Sequence, residues 1–432
     1  MTTFCFCPFS LLLLYPKDIR MGVFGIRYKP GIFCGGATAW EVGNDNNGKA
    51  NPPLILLFWH GICYHDTNTD FHRRDMCMKI LRDGFSVALS EPTLYVDNQS
   101  RGRSGHMTHA MVEYAPGRVI DFNANSSAKI YTGHSTFGFV EYRLSEDGGE
   151  TFSEICQFPY SMEALLDGVH VISVEKAVGT DSGAIVAICL RNDAHALCQP
   201  WDTPMVVISR DGGKSWSEPR EMCGFKGRVY DACYRDGVIY ALEFCNDGTG
   251  DFCGWNEEHL YRIFESRDDG ESFRELCVVP IPNEMRGYGA MIFDEQGNLH
   301  VYAYNRGDES KIDHVVSTDM GKSWGKATQC EVKKGLRNPQ INQIDGIFVA
   351  HGRSADLMHF VLYTSRDGEI WDEGSAVRSL SYPCACYYSN NLVLKDWHGK
   401  NRMLIQFSES YDRERVNVMH MWLSIESEGE RV

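Results

Sequence analysis

One short pattern constrains this chain more than any other. The stretch Ser209-Arg210-Asp211-Gly212-Gly213-Lys214-Ser215-Trp216 is a copy of Ser-x-Asp-x-Gly-x-Ser/Thr-aromatic. Further copies stand at residues 145–152, 266–273 and 317–324, and a degenerate one, a residue short, at 365–371. An Asp in such a stretch can cap nearby backbone N–H groups, and the Gly supplies the positive φ that a tight turn needs. The aromatic residue pins the turn onto the strands beside it. Each copy therefore reads as a β-hairpin turn with its own fastening. Isolated Asp-Gly turns are common. Five near-identical ones at regular intervals imply a repeat.

The repeat sets the architecture. The aspartates Asp147, Asp211, Asp268, Asp319 and Asp367 follow one another at 64, 57, 51 and 48 residues, the length of a four-stranded blade with its loops. Pairs of apolar runs around an Asp/Gly turn can be read six times, starting near His106, Ser173, Arg228, Arg286, Arg337 and Tyr388. The expectation is an all-β chain: a six-bladed β-propeller of four-stranded antiparallel blades. The sixth unit lacks a clear copy of the turn, so its outer strand must come from residues 416–425 or from 80–90, closing the ring with the chain ends. Residues 1–77 look different and are expected to form an N-terminal extension, with the propeller spanning 78–432. Within the extension, Cys63, His65, Asp70 and His72 read as loop residues rather than metal ligands.

Composition narrows the function classes. A formal charge of -16 excludes a general nucleic-acid binder, which needs basic surface. It leaves room for a small anion held by a local arginine cluster. The sixteen cysteines lack zinc-type spacing, since Cys5-Phe6-Cys7 and Cys384-Ala385-Cys386 are not Cys-x-x-Cys. Buried free thiols in a reducing compartment are the expectation; a disulfide framework is the alternative. Residues 9–15 are apolar, but no basic residue precedes them and no cleavage site follows, so a cytoplasmic location is expected over secretion. No run reaches the ~18 apolar residues of a spanning helix. No nucleotide loop, flavin or haem motif occurs. Cofactor, metal, membrane and nucleic acid are accordingly absent from the expected partners.

In a propeller the innermost strands line a central channel, and their first residues face one mouth together with the loops after the second strands. The strand starts carry Arg103 with His106 and His109, Glu175 with Lys176, Arg228 with Asp231, Arg286 with Tyr288, Arg337, and Tyr387 with Tyr388. The ends of the second strands carry Asn125, Arg191, Glu243, Arg306, Arg353 and Glu409. So many guanidiniums at one mouth of an acidic protein suit a carboxylate ligand, which the planar fork of Arg matches with two hydrogen bonds. Arg228, Arg286 and Arg337 equally suit ion pairs that bridge blades. His106 and His109 read as strand-end residues. Alternation lets only one of Tyr387 and Tyr388 face the channel.

The repeated turn resembles the Asp box, or bacterial neuraminidase repeat, of sialidases and related β-propellers, and the resemblance covers about 350 residues. It implies three arginines on a substrate carboxylate, a Tyr nucleophile activated by a Glu, and an Asp acid/base. Sialidases are the Tyr-nucleophile exception among glycosidases. Tyr388-Ser389 followed by Leu392-Val393-Leu394-Lys395-Asp396 is similar to the opening of the last sialidase blade. Arg353 matches the third arginine and Arg306 the second. For the first, the chain offers Arg103 in Arg-Ser-Gly, or Arg337-Asn338-Pro339 on another blade. Glu175 stands sixteen residues before Arg191, the Glu-to-Arg spacing, but on the second blade. Residues 123–134, where the acid/base belongs, contain no acid. The residues expected to act are Tyr388, Glu175 and Asp231 in catalysis, and Arg103, Arg191, Arg228, Arg286, Arg306, Arg337 and Arg353 in substrate binding. The implied activity is hydrolysis of a glycoside at a terminal acidic, sialic-acid-like sugar. The alternatives are a non-catalytic propeller that binds a glycan or a protein, and another carbohydrate-active enzyme such as a lyase or neutral-sugar hydrolase.

Overall fold

A computed structural model describes residues 76–106, 109–127, 138–195, 201–248 and 252–427. Apart from residues 76 and 77, the extension, with Cys63, His65, Asp70 and His72, lies outside the described residues. The boundary expected at 77/78 falls inside the strand Met76–Arg82.

Five blades are contiguous antiparallel meanders. Blade 1 comprises His109–Ala115, Arg118–Ser126, Gly138–Ser145 and Cys156–Gln157, and blade 2 His170–Gly179, Ile185–Asp193, Met205–Ser209 and Arg220–Glu221. Blade 3 comprises Gly227–Arg235, Val238–Cys245, Leu260–Ser266 and Arg274–Val278, and blade 4 Arg286–Phe293, Leu299–Asn305, Lys311–Ser317 and Thr328–Glu331. Blade 5 comprises Arg337–Ile344, Ile347–Arg353, His359–Ser365 and Ser375–Ser379. The first strands of neighbouring blades lie side by side around a closed ring, so they are the innermost. Each begins within three residues of its expected position.

Blade 6 takes strands from both ends of the propeller. Ser389–Trp397, Lys400–Ser410 and Val416–Ser427 are followed outward by Phe85–Ser90 and then Met76–Arg82, while Thr93–Val96 also pairs with Val416–Ser427. Both candidate segments for its outer part are thus used. The described helices are short, Asn98–Arg101 and Pro159–Asp167. None is long and apolar enough to cross a membrane.

Apolar burial is distributed seam by seam. Six clusters of buried side chains occupy the six junctions between neighbouring blades. The seam between blades 6 and 1 is the thinnest, built on Met111, Val119, Leu394, Leu404 and Trp422. Buried polar groups reinforce it: His420 Nε2 lies 2.8 Å from Asp121 Oδ2, and His109 Nδ1 lies 2.7 Å from Gln406 Oε1, whose amide also contacts Asp121. The described cysteines Cys156, Cys189, Cys223, Cys233, Cys245, Cys253, Cys277, Cys330, Cys384 and Cys386 are free thiols, several of them in these seams.

The repeated turns are built alike. In the second, the Ser209 hydroxyl donates to Asp211 (2.9 Å) and accepts from Gly213 N (2.8 Å). Asp211 in turn accepts from the backbone N–H of Ser215 (2.9 Å) and from its hydroxyl (2.6 Å). The same bonds recur around Asp147, Asp268 and Asp319. The short copy keeps the backbone bond, from Ile370 N to Asp367 (2.8 Å), but Ile370 has no hydroxyl to donate. Each turn docks on the preceding blade. Tyr142 of blade 1 donates to Gly213 O (2.6 Å), and Tyr302 of blade 4 to Gly368 O (2.9 Å). Gly270 shows why this position is Gly: its φ is 81°, and a Cβ there would meet Val186 at 2.7 Å.

These hydrogen bonds favour the ionised carboxylate. The Ser215 and Ser323 hydroxyls hold Asp211 and Asp319 at about 2, against an ordinary 3.8. A depressed folded-state value means stability present above about pH 4 and lost as the pH falls towards 2. Melting temperature should therefore drop through that window, and Asp211→Asn should flatten the drop while lowering the plateau. An identical acid slope in Asp211→Asn would remove the turn aspartate as its cause.

Candidate active site in the central channel

Four of the inner strands carry a β-bulge at about the same height. Val174 pairs with Cys189 but Lys176 with Ile188, so Glu175 is the extra residue. In blade 3 the shift between Val229 and Asp231 makes Tyr230 the extra residue. The shifts from Arg286 to Gly289 and from Arg337 to Gln340 enclose Gly287-Tyr288 and Asn338-Pro339. A bulge re-aims side chains and is the one place an inner strand tolerates a Pro. Here the bulges turn Glu175, Tyr230, Tyr288 and Asn338 towards the axis. Glu175, Tyr230 and Asn338 line a narrow cavity of about 20 Å³ together with Arg228 and Tyr388.

Tyr388, directly before the inner strand of blade 6, is 8% exposed. The Arg353 guanidinium lies 4.9 Å above its ring, the His106 ring meets it edge-on at 4.7 Å, and its hydroxyl is 2.9 Å from that of Tyr288. Burial opposes ionisation of the Tyr388 phenol, but Arg353 and Arg228 outweigh it and hold its pKa below the ordinary tyrosine value. Arg353 is fixed from behind, donating from Nη1 to the carbonyls of Ala385 (2.6 Å) and Cys386 (3.2 Å). Its Nε is buried without a partner. Burial, then the charge of Arg353, hold the His106 imidazole well below its ordinary value, so it is neutral.

Arg228 and Glu175 form a buried ion pair across blades 3 and 2, with Arg228 Nε donating to Glu175 Oε2 at 2.7 Å. Glu175 Oε1 is buried without a partner, and burial lifts the carboxyl above the usual range despite Arg228.

Two more arginines share an aromatic floor. Arg306 and Arg337 lie 5.5 Å and 5.9 Å from the ring of Phe252, which stacks on Tyr288 at 4.8 Å. Arg306 also lies 5.9 Å from the half-exposed Trp255. Phe252, Tyr288 and Tyr388 thus link Arg306, Arg337 and Arg353 into one group. The other expected arginines are held elsewhere. Arg191 pairs with Asp202 (3.0 Å) and Glu221 (3.4 Å), Arg286 with Asp313, and Arg103 with the Asn125 side chain (2.6 Å).

Asp231 stands apart from Tyr388. Lys176 Nζ lies 3.0 Å from Asp231 and donates to Gln340 (2.7 Å) and Asn390 (3.2 Å), tying blades 2, 3, 5 and 6 across the axis. Asp231 also accepts from Met291 N of blade 4 (2.8 Å). It lines a second cavity, of about 500 Å³, that reaches the far ends of the inner strands at Arg235 and Phe293. Lys176 borders both cavities. Phe252 and Tyr230 were not among the residues expected at the mouth; Tyr288 was placed there but given no role, although two glycines flank it.

Residues 207–218 match the BNR/Asp-box repeat family model. No curated protein matches the chain. Among solved structures, a protein of unknown function from Dyadobacter fermentans is similar at 12% identity and TM-score 0.61, over 78% of this chain and 99% of that one. The NanB sialidase of Streptococcus pneumoniae is similar at 11% identity and TM-score 0.57, over 77% and 70%. Trypanosoma rangeli sialidase, solved with sialic acid, is similar at 13% identity and TM-score 0.50, over 74% and 54%. The chain therefore carries an Asp-box repeat and shares the six-bladed β-propeller fold of these sialidase structures.

Proposed function

We propose that this protein is a glycoside hydrolase that removes a terminal acidic sugar, with Tyr388 as nucleophile. The observation that carries the reading is the setting of the Tyr388 phenol: buried at the axis, acidified by Arg353 and Arg228, and joined through Tyr288 and Phe252 to Arg306 and Arg337. Guanidiniums suit the sugar carboxylate, and a phenol approaches an anomeric centre bearing that carboxylate with less repulsion than a carboxylate nucleophile would meet. The fold shared with sialidases, one of them solved with sialic acid, supports the same ligand class.

Glu175, lining the same narrow cavity, is the candidate acceptor of the phenol proton at its unpartnered Oε1. That transfer moves negative charge from Glu175 to Tyr388, and Arg228 acts on both. The Tyr388 oxygen then bonds to the anomeric carbon as the bond to the leaving oxygen breaks, and the leaving oxygen takes a proton from water. In the second half, water adds to the anomeric carbon and loses a proton to the hydroxide left by the first half, the Tyr388–sugar bond breaks, and Glu175 returns the proton to Tyr388. Net, one water is consumed and two alcohols form.

Among the described residues no carboxylate is hydrogen-bonded to Tyr388, an observation that favours the alternative of a glycan-binding propeller without turnover. Fluorogenic sialosides and uronides separate the two readings. Release of fluorophore from an acidic glycoside, with neutral counterparts untouched, is expected. Binding of an acidic glycan with no cleavage of any such substrate would establish the alternative.

A further inference from the structure

The hydroxyl that meets Tyr388 belongs to another tyrosine, where the sialidase pattern implies a carboxylate. The 2.9 Å contact with Tyr288 joins blade 4 to blade 6 across the channel. The Tyr288 ring cannot turn away from it. It stacks on Phe252 (4.8 Å, 29°), meets Tyr230 edge-on (5.5 Å, 73°) and leans on Tyr304 (5.7 Å). The backbone beneath is equally specified. A Cβ at Gly287 would meet Phe252 at 2.9 Å, and one at Gly289 would meet Leu242 at 2.9 Å, so only glycines let the bulge bring Tyr288 to the axis.

We propose that Tyr288 is the positioning residue of the nucleophile: it aims the Tyr388 hydroxyl and donates its own proton to the Tyr388 oxygen whenever that oxygen carries negative charge. The proposal rests on reading Tyr388 as the nucleophile. The direction of the hydrogen bond follows from which phenol gives up its proton first. The titratable and charged groups facing Tyr388 are Arg353 and Arg337 of blade 5, Arg228 and Tyr230 of blade 3, Glu175 and Lys176 of blade 2, neutral His106 and His109 at the entry to blade 1, and Tyr288 itself. Burial resists loss of the Tyr388 proton, but the cations prevail. For Tyr288, burial and then the charge on Tyr388 push the other way, far above the ordinary value. The proton shared by the pair therefore stays on Tyr288. In chemical terms Tyr288 is a neutral donor to a developing oxyanion, placed before reaction and needing no reorganisation during it.

The test places 3-fluorotyrosine at position 388 of the full chain and follows its ionisation by 19F NMR, which requires no turnover. The midpoint is expected below that of free 3-fluorotyrosine, and should rise by about one pH unit or more in Tyr288→Phe. A midpoint unmoved by Tyr288→Phe overturns the proposal. Should that variant fail to fold, a parent midpoint at or above that of the free amino acid overturns it equally. In the kinetic arm, Tyr288→Phe should lower kcat about 10- to 100-fold with KM unchanged, and shift the acid limb of the pH profile upward. A parent protein that cleaves no acidic glycoside, yet shows a depressed and Tyr288-dependent midpoint, defeats the hydrolase reading and supports the tyrosine pair.

Discussion

Arg228→Met should lower the free energy of unfolding by about 3–5 kcal/mol, the usual penalty for stranding one member of a buried ion pair. Its side chain is 3% exposed and that of Glu175 7%, so water cannot replace the lost partner. The stranded carboxyl can escape only by taking up a proton. A carboxyl whose folded-state pKa is raised loses stability as pH rises from its unfolded value through the folded one. The variant should therefore weaken more steeply than the parent as the pH rises above the ordinary carboxyl value of 4.5. Removing both charges, in Arg228→Met with Glu175→Leu, should restore most of the loss, since matched apolar pairs often equal a buried ion pair. Chemical denaturation at several pH values measures all three proteins. A single variant within about 1 kcal/mol of the parent would mean that the pair is hydrated and the channel wider than its side chains indicate.

Tyr388→Phe should lower kcat by about a thousandfold or more while keeping the ring that packs in the seam between blades 3 and 4, so its cost in stability is confined to the lost hydroxyl contact with Tyr288, about 1–3 kcal/mol. Arg353→Ala should raise KM as well, since Arg353 both acidifies Tyr388 and belongs to the guanidinium group proposed to hold the carboxylate. The two variants separate nucleophile from anchor. If Tyr388→Phe kept more than about a tenth of parental turnover, attack would have to come from another group or from water directly.

Much of the architecture was legible because its signals are local. A turn such as 209–216 contains in eight residues the Ser, Asp, Gly and hydroxyl that form it, and its recurrence counts blades. The sixth blade was recognisable from its apolar runs near Tyr388 despite lacking that turn, and both candidate closing segments are used. The site was less legible, because it depends on which way inner-strand side chains point. Alternation works until a bulge inserts a residue, and four inner strands bulge at the same level. Asp231, three residues past Arg228, thus meets Lys176 beside the other cavity. Arg191 and Arg286 do lie at strand ends and Arg103 in the segment before blade 1, but their partners Asp202, Asp313 and Asn125 could not be read from spacing. Arg306 and Arg337 meet over Phe252, from the segment between two strands of blade 3, a contact that no periodicity announces.

The way blade 6 is assembled has a consequence for biosynthesis. Its fourth strand, Phe85–Ser90, is buried along its whole length, yet its neighbour Val416–Ser427 is translated more than 300 residues later. At about 5–20 residues per second, the early strand waits roughly 20 to 70 s after emerging from the ribosome before its mate exists. Throughout that interval the edge of a six-residue buried strand is open to misassociation, so this blade is the one exposed to wrong pairing until Val416–Ser427 is made.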